Sequence, residues 1–460
     1  MPVRVWRVLD RIGDHGMCWA AATGVMVTRK GPSRRAAVRG ATAAVATTVV
    51  VHAVAKPLLP RVHPSAHRFP SAHAASAAAF TVGAGLESTW RGSALAPVAV
   101  AVTAARVALG ERRTGEVLAG SALGVGLALL TRRWWPVHDL APARARPAFA
   151  APALGDGEGL LVVANDAAGS GAVDERPDVA TVVREALPAA RILVPVPGTD
   201  LIAAVEQALG AADGQVHALG VAGGDGSVAA VAGIAARHGL PLVPAPAGTL
   251  NHFARDVGLD APGEALEAAA EGSAVLVDLA EVTADGRRIP FVNTASLGGY
   301  PDMVQQRERW EGRIGKWPAA AVALAQVLYS AAPLHVTLDG RPATVWLLFV
   351  GNGIYHPRGM APLYRPQLDG RRLDVRYLRA DLPLSRTRFL LAVLSGTLLR
   401  SRVYVQRRAR TADVHIVGDP IAIATDGEVW EPATRFRFAL APAPLTVYRP
   451  WTEHTAEGRD

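Results

Sequence analysis

Three glycine-rich turns and one acidic pair hold the chemistry open to this 460-residue chain. The turns are Asn165-Asp-Ala-Ala-Gly169-Ser-Gly171, Gly223-Gly224-Asp225-Gly226-Ser227 and Pro246-Ala-Gly248-Thr249-Leu-Asn251-His252-Phe-Ala-Arg255-Asp256. Glycine lets a backbone approach a phosphate and turn through positive φ. The N–H groups of a following helix end then face the anion. Loops between strands and helices often carry glycine for packing alone. Three such loops at successive strand ends point to one shared ligand, because parallel sheets bind ligands outside the carboxyl ends of their strands. The spacing fits neither the G-x-G-x-x-G dinucleotide fingerprint nor the G-x-x-x-x-G-K-[ST] phosphate loop. Late in the chain, Asp426-Gly427-Glu428 follows an apolar run. It reads as a cleft-facing carboxylate pair or as an ordinary Asp-Gly hairpin.

The elements that must position these groups alternate in type. Gly159–Ala164, Ile192–Val196, Val216–Ala222 and Leu240–Ala245 read as strands; Val179–Leu187, Leu201–Leu209 (capped by Asp200) and Ser227–His238 read as helices. Such alternation predicts a parallel sheet with βαβ crossovers over 159–274. From about Val275 short β runs dominate: Val275–Leu279, Pro290–Asn293, Leu334–Leu338, Thr344–Val350, Leu373–Leu378, Val414–Val417, Ile421–Ala424 and Phe436–Leu440. Two helices, Trp317–Ala331 and Arg386–Arg400, interrupt them, so 275–450 is expected to be a mainly β, sandwich-like lobe with a short tail at 451–460.

The first third of the chain is different. Residues 1–150 hold 19 basic and six acidic residues, while the remainder is net negative, within a total charge of +8. The positive charge sits among apolar segments rich in alanine and valine: His15–Thr28, Gly40–Ala55, Phe69–Leu86, Gly92–Ala105 and Val117–Thr131. Each is shorter than the ~20 residues that a bilayer core requires, so a soluble Ala-rich bundle is the alternative. Close succession of the segments and snorkelling flanking cations favour a membrane bundle over 1–135, and basic loops between apolar segments disfavour nucleic acid as partner. Arg29–Arg39 carries five basic residues, and Arg132–Arg133 closes the last segment. Four crossings between these sites put both on the cytoplasmic side. No signal peptide is expected. Pro136–Gly159 is Pro- and Ala-rich, which suggests a linker over 136–158. A lone cysteine, Cys18, excludes a disulfide framework and a Cys-based zinc site.

The second half resembles the diacylglycerol kinase catalytic-domain family, shared by bacterial lipid kinases and sphingosine kinases. The family's Asn-Pro-x-x-Gly-x-Gly, Gly-Gly-Asp-Gly-Thr, Pro-x-Gly-Thr-x-Asn-Asp-Phe-Ala-Arg and Asp-Gly-Glu motifs stand here as Asn165–Gly171, Gly223–Ser227, Pro246–Arg255 and Asp426–Glu428, within about Gly155–Pro450. The resemblance implies an α/β nucleotide-binding lobe, a β-sandwich lobe, and transfer of the γ-phosphate of MgATP to a lipid hydroxyl such as that of diacylglycerol. It implies ATP contacts from Asn165, Gly169, Gly171, Gly223, Gly224, Gly226, Ser227, Gly248, Thr249 and Asn251. An alcohol acceptor must lose its proton, and a carboxylate within hydrogen-bond reach can take it. The resemblance gives that role to Glu428, beside Asp426, with Asp225 as the competing base or Mg²⁺-linked carboxylate. The family's structural metal loop, Leu-Asp-Asp-Gly, is here Leu368-Asp369-Gly370, one acid short, leaving Asp369 as the metal candidate. Asp166, Ala229-Ala230 and His252 depart from the family pattern.

Residues 10–135 resemble a type 2 phosphatidic acid phosphatase domain. Lys56 precedes His63-Pro64, Pro70-Ser71-Ala72-His73 keeps Ser and His, and the third motif reads Ala105-Arg106, then Arg112 and Glu116. Arg112 stands at the nucleophile position. A guanidinium stays protonated and cannot attack phosphorus. The domain therefore reads as a decayed phosphatase, with Lys56, Ser71, His73, Arg106 and Arg112 as a vestigial site. The whole is expected to be a multi-pass membrane lipid kinase with its catalytic domain in the cytoplasm. Competing functions are a bifunctional phosphatase–kinase, a nucleotide- or lipid-binding pseudokinase, and an NAD- or polyphosphate-kinase-like enzyme.

Overall fold

The computed structural model describes residues 6–7, 16–29, 31–58, 69–137, 142–164, 179–196, 199–248, 251–298, 332–359 and 362–451. The chain divides into two units, Met1–Asp139 and Leu140–Asp460. The helix expected over Trp317–Ala331 lies outside the described residues, as do Asn165, Gly169, Gly171 and Thr249.

The first unit is helical: α1 (Met17–Val27), α2 (Pro32–Val50), α3 (Ala72–Glu87), α4 (Thr89–Ala108) and α5 (Thr114–Leu130). A π-helical turn at Val51–Ala55 prolongs α2 as far as Leu58. Two helices, Pro32–Leu58 and Thr114–Arg133, are long and apolar enough to cross a membrane by length and composition. α3 packs against α2, α4 and α5, and glycines set how closely the backbones meet. A Cβ at Gly83 would lie 3.1 Å from the Gly40 Cα, and one at Gly92 only 2.6 Å from the Gly85 Cα. Cβ atoms at Gly120 and Gly124 would strike the carbonyls of Ser71 and Ala75. Small residues four apart on α5 thus seat it directly on the α3 backbone. Arg39 is fully buried in this bundle. Its guanidinium donates to Glu87 (2.7 Å), to Thr131 Oγ1 (3.3 Å) and to the Trp135 carbonyl (2.6 Å), so the buried charge is paired.

The second unit begins earlier than its composition suggests. Residues read as linker are fastened to it: Ala143 N donates to the Asp256 carbonyl (2.9 Å), Ala148 N to Ala274 (2.9 Å) and Leu154 N to Ala269 (3.0 Å). Its first lobe runs β1 (Leu160–Ala164), α6 (Val179–Ala186), β2 (Arg191–Leu193), α7 (Leu201–Ala211), β3 (Ala218–Gly223), α8 (Asp225–His238), β4 (Leu242–Pro246), α9 (His252–Val257), α10 (Pro262–Glu271) and β5 (Ala274–Val277). β1 and β3 are buried along their whole length, as strands covered on both faces by helices must be. Asp200 caps α7 by accepting from Ile202 N at 3.0 Å. β2 is shorter than the run Ile192–Val196, whose last residues Val194 and Val196 are exposed.

The second lobe comprises β6 (Ala280–Ala284), β7 (Arg287–Phe291), β8 (Thr294–Gly298), β9 (Leu334–Leu338), β10 (Arg341–Asn352), β11 (Leu373–Arg379), α11 (Ser385–Leu394), β12 (Tyr404–Ala409), β13 (Thr411–Ile416), β14 (Ile421–Thr425), β15 (Glu428–Ala433) and β16 (Arg435–Leu440), followed by β17 (Leu445–Tyr448). β6 to β16 form one antiparallel sheet with its own core of Val, Ile, Leu and Phe. β17 leaves it. It returns to the first sheet, whose order is β2-β1-β3-β4-β17-β5, pairing parallel to β4 and antiparallel to β5. The run at Val275–Leu279, expected in the β lobe, therefore forms the edge of the α/β sheet.

Candidate active site at the lobe junction

The second glycine turn joins β3 to α8. Gly224 is the cap residue in extended conformation, and α8 starts at Asp225, two residues before the expected start at Ser227. The helix is well placed to hold negative charge at this end: Arg237 and His238 lie in its last turn, and Gly239 closes it in the left-handed conformation. A Cβ at Gly224 would meet nothing within 4 Å, so no intramolecular contact demands glycine there and the space above it is open. The third turn packs against the second. A Cβ at Gly248 would lie 2.6 Å from the Gly224 Cα. Asn251, at φ 47°, closes this loop on itself: its side-chain oxygen accepts from Gly248 N (2.9 Å) and its amide donates to the Gly248 carbonyl (2.7 Å). A small crevice is lined here by Gly223, Asp225, Val228, Pro246, Asn251 and Ala254.

The acidic residues take different places from those their spacing suggests. Asp225 accepts from the backbone N–H of His252 (3.0 Å) and Phe253 (2.9 Å) and from the Asn293 amide (3.0 Å). It clamps the start of α9 and the second lobe to the start of α8. Asp426 sits at the β14–β15 hairpin with φ 48° and accepts from Val292 N (2.7 Å), Asn293 N (2.9 Å) and Thr294 N (2.9 Å). Burial pushes its carboxyl up to about 7 against the pull of those three N–H groups, and the nearby Asp225 charge adds to the rise. Asp426 is spent on backbone N–H groups, and Asp225 on two of them and the Asn293 amide.

Glu428 is free of such bonds. It opens β15, and its carboxylate lies directly over the Cα of Gly226, in the first turn of α8: a Cβ on Gly226 would collide with it. The residue is exposed, but partial desolvation of its carboxyl raises it above the ordinary glutamate range. The structure thus brings Gly223, Gly224, Gly226, Gly248, Asn251, Asp225, Asp426 and Glu428 to one junction. Ser227 lies in the same helical turn.

Asp369 is not at this junction. Its carboxylate accepts from Arg146 Nε (2.8 Å), Arg146 N (3.2 Å) and Gln367 (3.0 Å). Among the described residues no group of three His, Cys, Asp or Glu side chains converges as a metal site. In the first unit, Ser71 N donates to the Glu116 carbonyl (3.0 Å) and Arg112 pairs with Glu116 (3.4 Å), so the second and third phosphatase-like motifs meet. Lys56 contacts His52 (3.1 Å). Ser71 caps α3, its Oγ accepting from Ala74 N (3.4 Å) and its carbonyl from Ala75 N (3.0 Å); Arg106 and His73 lie on α4 and α3.

Sequence reasoning missed Arg365 and Asn293. Arg365 is fully buried; it donates to Asp256 (2.7 Å), to the carbonyls of Val292 (2.7 Å) and Asn352 (2.8 Å), and to Asn293 Oδ1 (3.1 Å). Asn293 passes this on to Asp225. The signal available was an arginine beside a proline in the loop before Asp369, which nothing local distinguishes from a surface residue.

Residues 159–282 match the sequence model of the diacylglycerol kinase catalytic domain. A relative named "Diacylglycerol kinase" from Mycobacterium tuberculosis (strain ATCC 25618 / H37Rv) is 26% identical over 239 residues, 50% of this chain and 76% of the relative. One named "Probable lipid kinase YegS-like" from Xanthomonas euvesicatoria pv. vesicatoria (strain 85-10) is 32% identical over 254 residues, 52% of this chain and 80% of the relative. A solved diacylglycerol kinase structure from Bacillus anthracis str. Sterne aligns with TM-score 0.42 and 19% identity, over 64% of this chain and 97% of that one.

Proposed function

We propose, from the premise that this chain belongs to the diacylglycerol kinase catalytic-domain family of lipid kinases, that it moves the γ-phosphoryl group of ATP to the hydroxyl of diacylglycerol or a similar lipid. The observation that carries this reading is the Glu428 carboxylate held over Gly226, at the helix end where a phosphate would sit. In the reaction, the lipid hydroxyl oxygen bonds to the γ-phosphorus. The bond from that phosphorus to the bridging oxygen breaks, and ADP leaves. The hydroxyl proton passes to Glu428, whose partly desolvated carboxyl favours the protonated product of that transfer. Gly223, Gly224, Gly226, Ser227 and Gly248 would cradle the phosphates, joined through sequence by Asn165, Gly169, Gly171 and Thr249. Asn251 shapes its own loop. Asp225 and Asp426 lose the role of base, because backbone N–H groups occupy them.

Mg²⁺ in such a site is held chiefly by substrate phosphates with one or two carboxylates. Asp225, beside the cradle, is the residue that could assist, and the ion would offset phosphate charge there. Asp369, bonded to Arg146, does not fit a metal.

The first unit would anchor the enzyme in the membrane, with Pro32–Leu58 and Thr114–Arg133 as spans and α1, α3 and α4 as companions. Arg29–Arg39 and the kinase would lie on the cytoplasmic side. Its phosphatase-like motifs would be inactive, since Arg112 holds the nucleophile position and is paired with Glu116.

Purified full-length protein in detergent, given labelled ATP and a lipid panel, should label one hydroxyl lipid and release no phosphate from phosphatidic acid. Glu428→Gln should lower kcat by ~10²–10⁴ while ATP affinity stays near wild type. ATP binding with no transfer to any lipid would establish a pseudokinase. Phosphate release from phosphatidic acid would establish the bifunctional enzyme.

A further inference from the structure

Between β11 and β12 the chain makes an excursion that carries α11 and a 3₁₀ turn at Leu398–Arg400. One face of this excursion is a core. Phe389, Ala392, Leu398 and Val403 bury themselves against Leu378. Trp346 donates from Nε1 to Ser385 Oγ (3.1 Å), and the Arg386 guanidinium stacks 4.3 Å over the same indole. The helix is therefore fixed, and its opposite face is settled with it.

That opposite face is apolar too. Leu391 and Leu394 are 60% and 71% exposed, Leu390 is exposed beside them, and Leu384 and Leu399 extend the patch at either end. Scattered exposed leucines are ordinary, but five on one short excursion make a contiguous patch of the kind that marks a contact surface. The charge on it is of one sign beyond Asp381 at its start, which is paired with Arg379. From Leu382 to Ala412 the chain contains seven arginines and no Asp or Glu. Of these, Arg388, Arg400 and Arg402 are exposed on the excursion itself.

A protein groove would offer carboxylates singly and in fixed places. A face of leucine and arginine with no acid complements a surface that is apolar within and anionic at its rim. We propose that this face docks the second unit on an anionic lipid bilayer, with the leucines entering the acyl boundary and the arginines meeting lipid phosphates. The purpose of such docking rests on the lipid-kinase reading: it would hold the junction near a membrane-resident acceptor. The contact itself does not rest on that reading and is tested without turnover.

The test uses the full chain with Cys18→Ser and a single reporter cysteine, Leu391→Cys, carrying an environment-sensitive dye. The protein is placed in phosphatidylcholine vesicles with brominated acyl chains, with or without phosphatidylglycerol. A second preparation carries the dye at Val196→Cys, which is 71% exposed on the first lobe. The dye at 391 should be quenched when phosphatidylglycerol is present, and less at high salt or without the anionic lipid. The dye at 196 should not be. Adding Arg388→Glu and Arg402→Glu should remove at least about half of the quenching. No quenching at 391, equal quenching at both positions, or burial of the dye that depends on protein concentration rather than on lipid would overturn the proposal, the last in favour of a second copy. A chain that phosphorylates no lipid but is quenched at 391 would leave the docking standing and remove the kinase reading.

Discussion

Gly226→Ala tests the site with the smallest change available. A Cβ at 226 collides with the Glu428 carboxylate, the far end of a flexible side chain, so the side chain must swing away while both backbones stay in place. The backbone of Gly226 is helical rather than left-handed, so alanine is sterically allowed there. Two stability terms oppose each other. An off-rotamer glutamate costs about 1 kcal/mol, and alanine for glycine in a helix returns about 0.5–1 kcal/mol. The fold should be nearly unchanged, within about 1 kcal/mol. The rate should not be, since displacing a catalytic group by about 1 Å costs about 10²-fold. Steady-state phosphorylation of a fixed lipid acceptor should show kcat down about 10²-fold with a retained denaturation midpoint. Gly210→Ala, where a Cβ meets nothing within 4 Å, is the matched control. Combining Gly226→Ala with Glu428→Gln should lower kcat little further than Glu428→Gln alone, because both act through one carboxylate. Full activity in Gly226→Ala would refute the placement of the base. A rise in KM for ATP with kcat intact would show that Gly226 serves phosphate approach instead.

Asp225→Ala strands three N–H donors and should cost about 3 kcal/mol in denaturant unfolding; unchanged stability with abolished turnover would return Asp225 to the role of base. Asp426 gives a pH signature. Its native carboxyl is held at about 7 against 3.8 for the ordinary side chain, so between these values the folded state keeps a proton that the unfolded chain has released. Its contribution is full below about pH 4 and is lost as pH rises to 7. Asp426→Asn should flatten that part of the Tm–pH profile, and an identical slope in both proteins would contradict it. Gly124→Leu should push α5 off the Ala75 carbonyl and unfold the first unit in detergent, measured by helical circular dichroism, while the ATP affinity of the second unit holds; wild-type thermal stability would deny the close packing.

The glycine turns were legible because their function depends on local backbone freedom, which sequence states directly. The alternating strands and helices of the first lobe were legible for the same reason: each announces its own period. The roles of the acids were not. Asp225 bonds to residues 27 and 28 positions away, and Asp426 to residues 132–134 away. No spacing rule shows which backbone N–H groups will converge on a carboxylate over such separations. Asp369 reads as a ligand until Arg146, 223 residues upstream, is seen on it. The short strands β6, β8, β12, β15 and β17 are not legible in the sequence, where polar or charged residues such as Glu281, Ser296, Arg407 and Glu431 interrupt or flank their apolar positions. β5 was visible, but its sheet was decided by β17.

The place of β17 also sets an order of manufacture. The strand that fills the gap between β4 and β5 is made only after every strand of the second lobe. Until it arrives, β4 has an open edge on that side, and β5 has no partner among the first-lobe strands already made. Helical segments of the first unit, built from neighbours in the chain, can form while synthesis continues. The catalytic lobe must wait, with exposed strand edges that invite wrong pairing. A premature stop at Leu445 would therefore remove no residue of the glycine turns or the acidic pair, yet leave the nucleotide lobe unfinished.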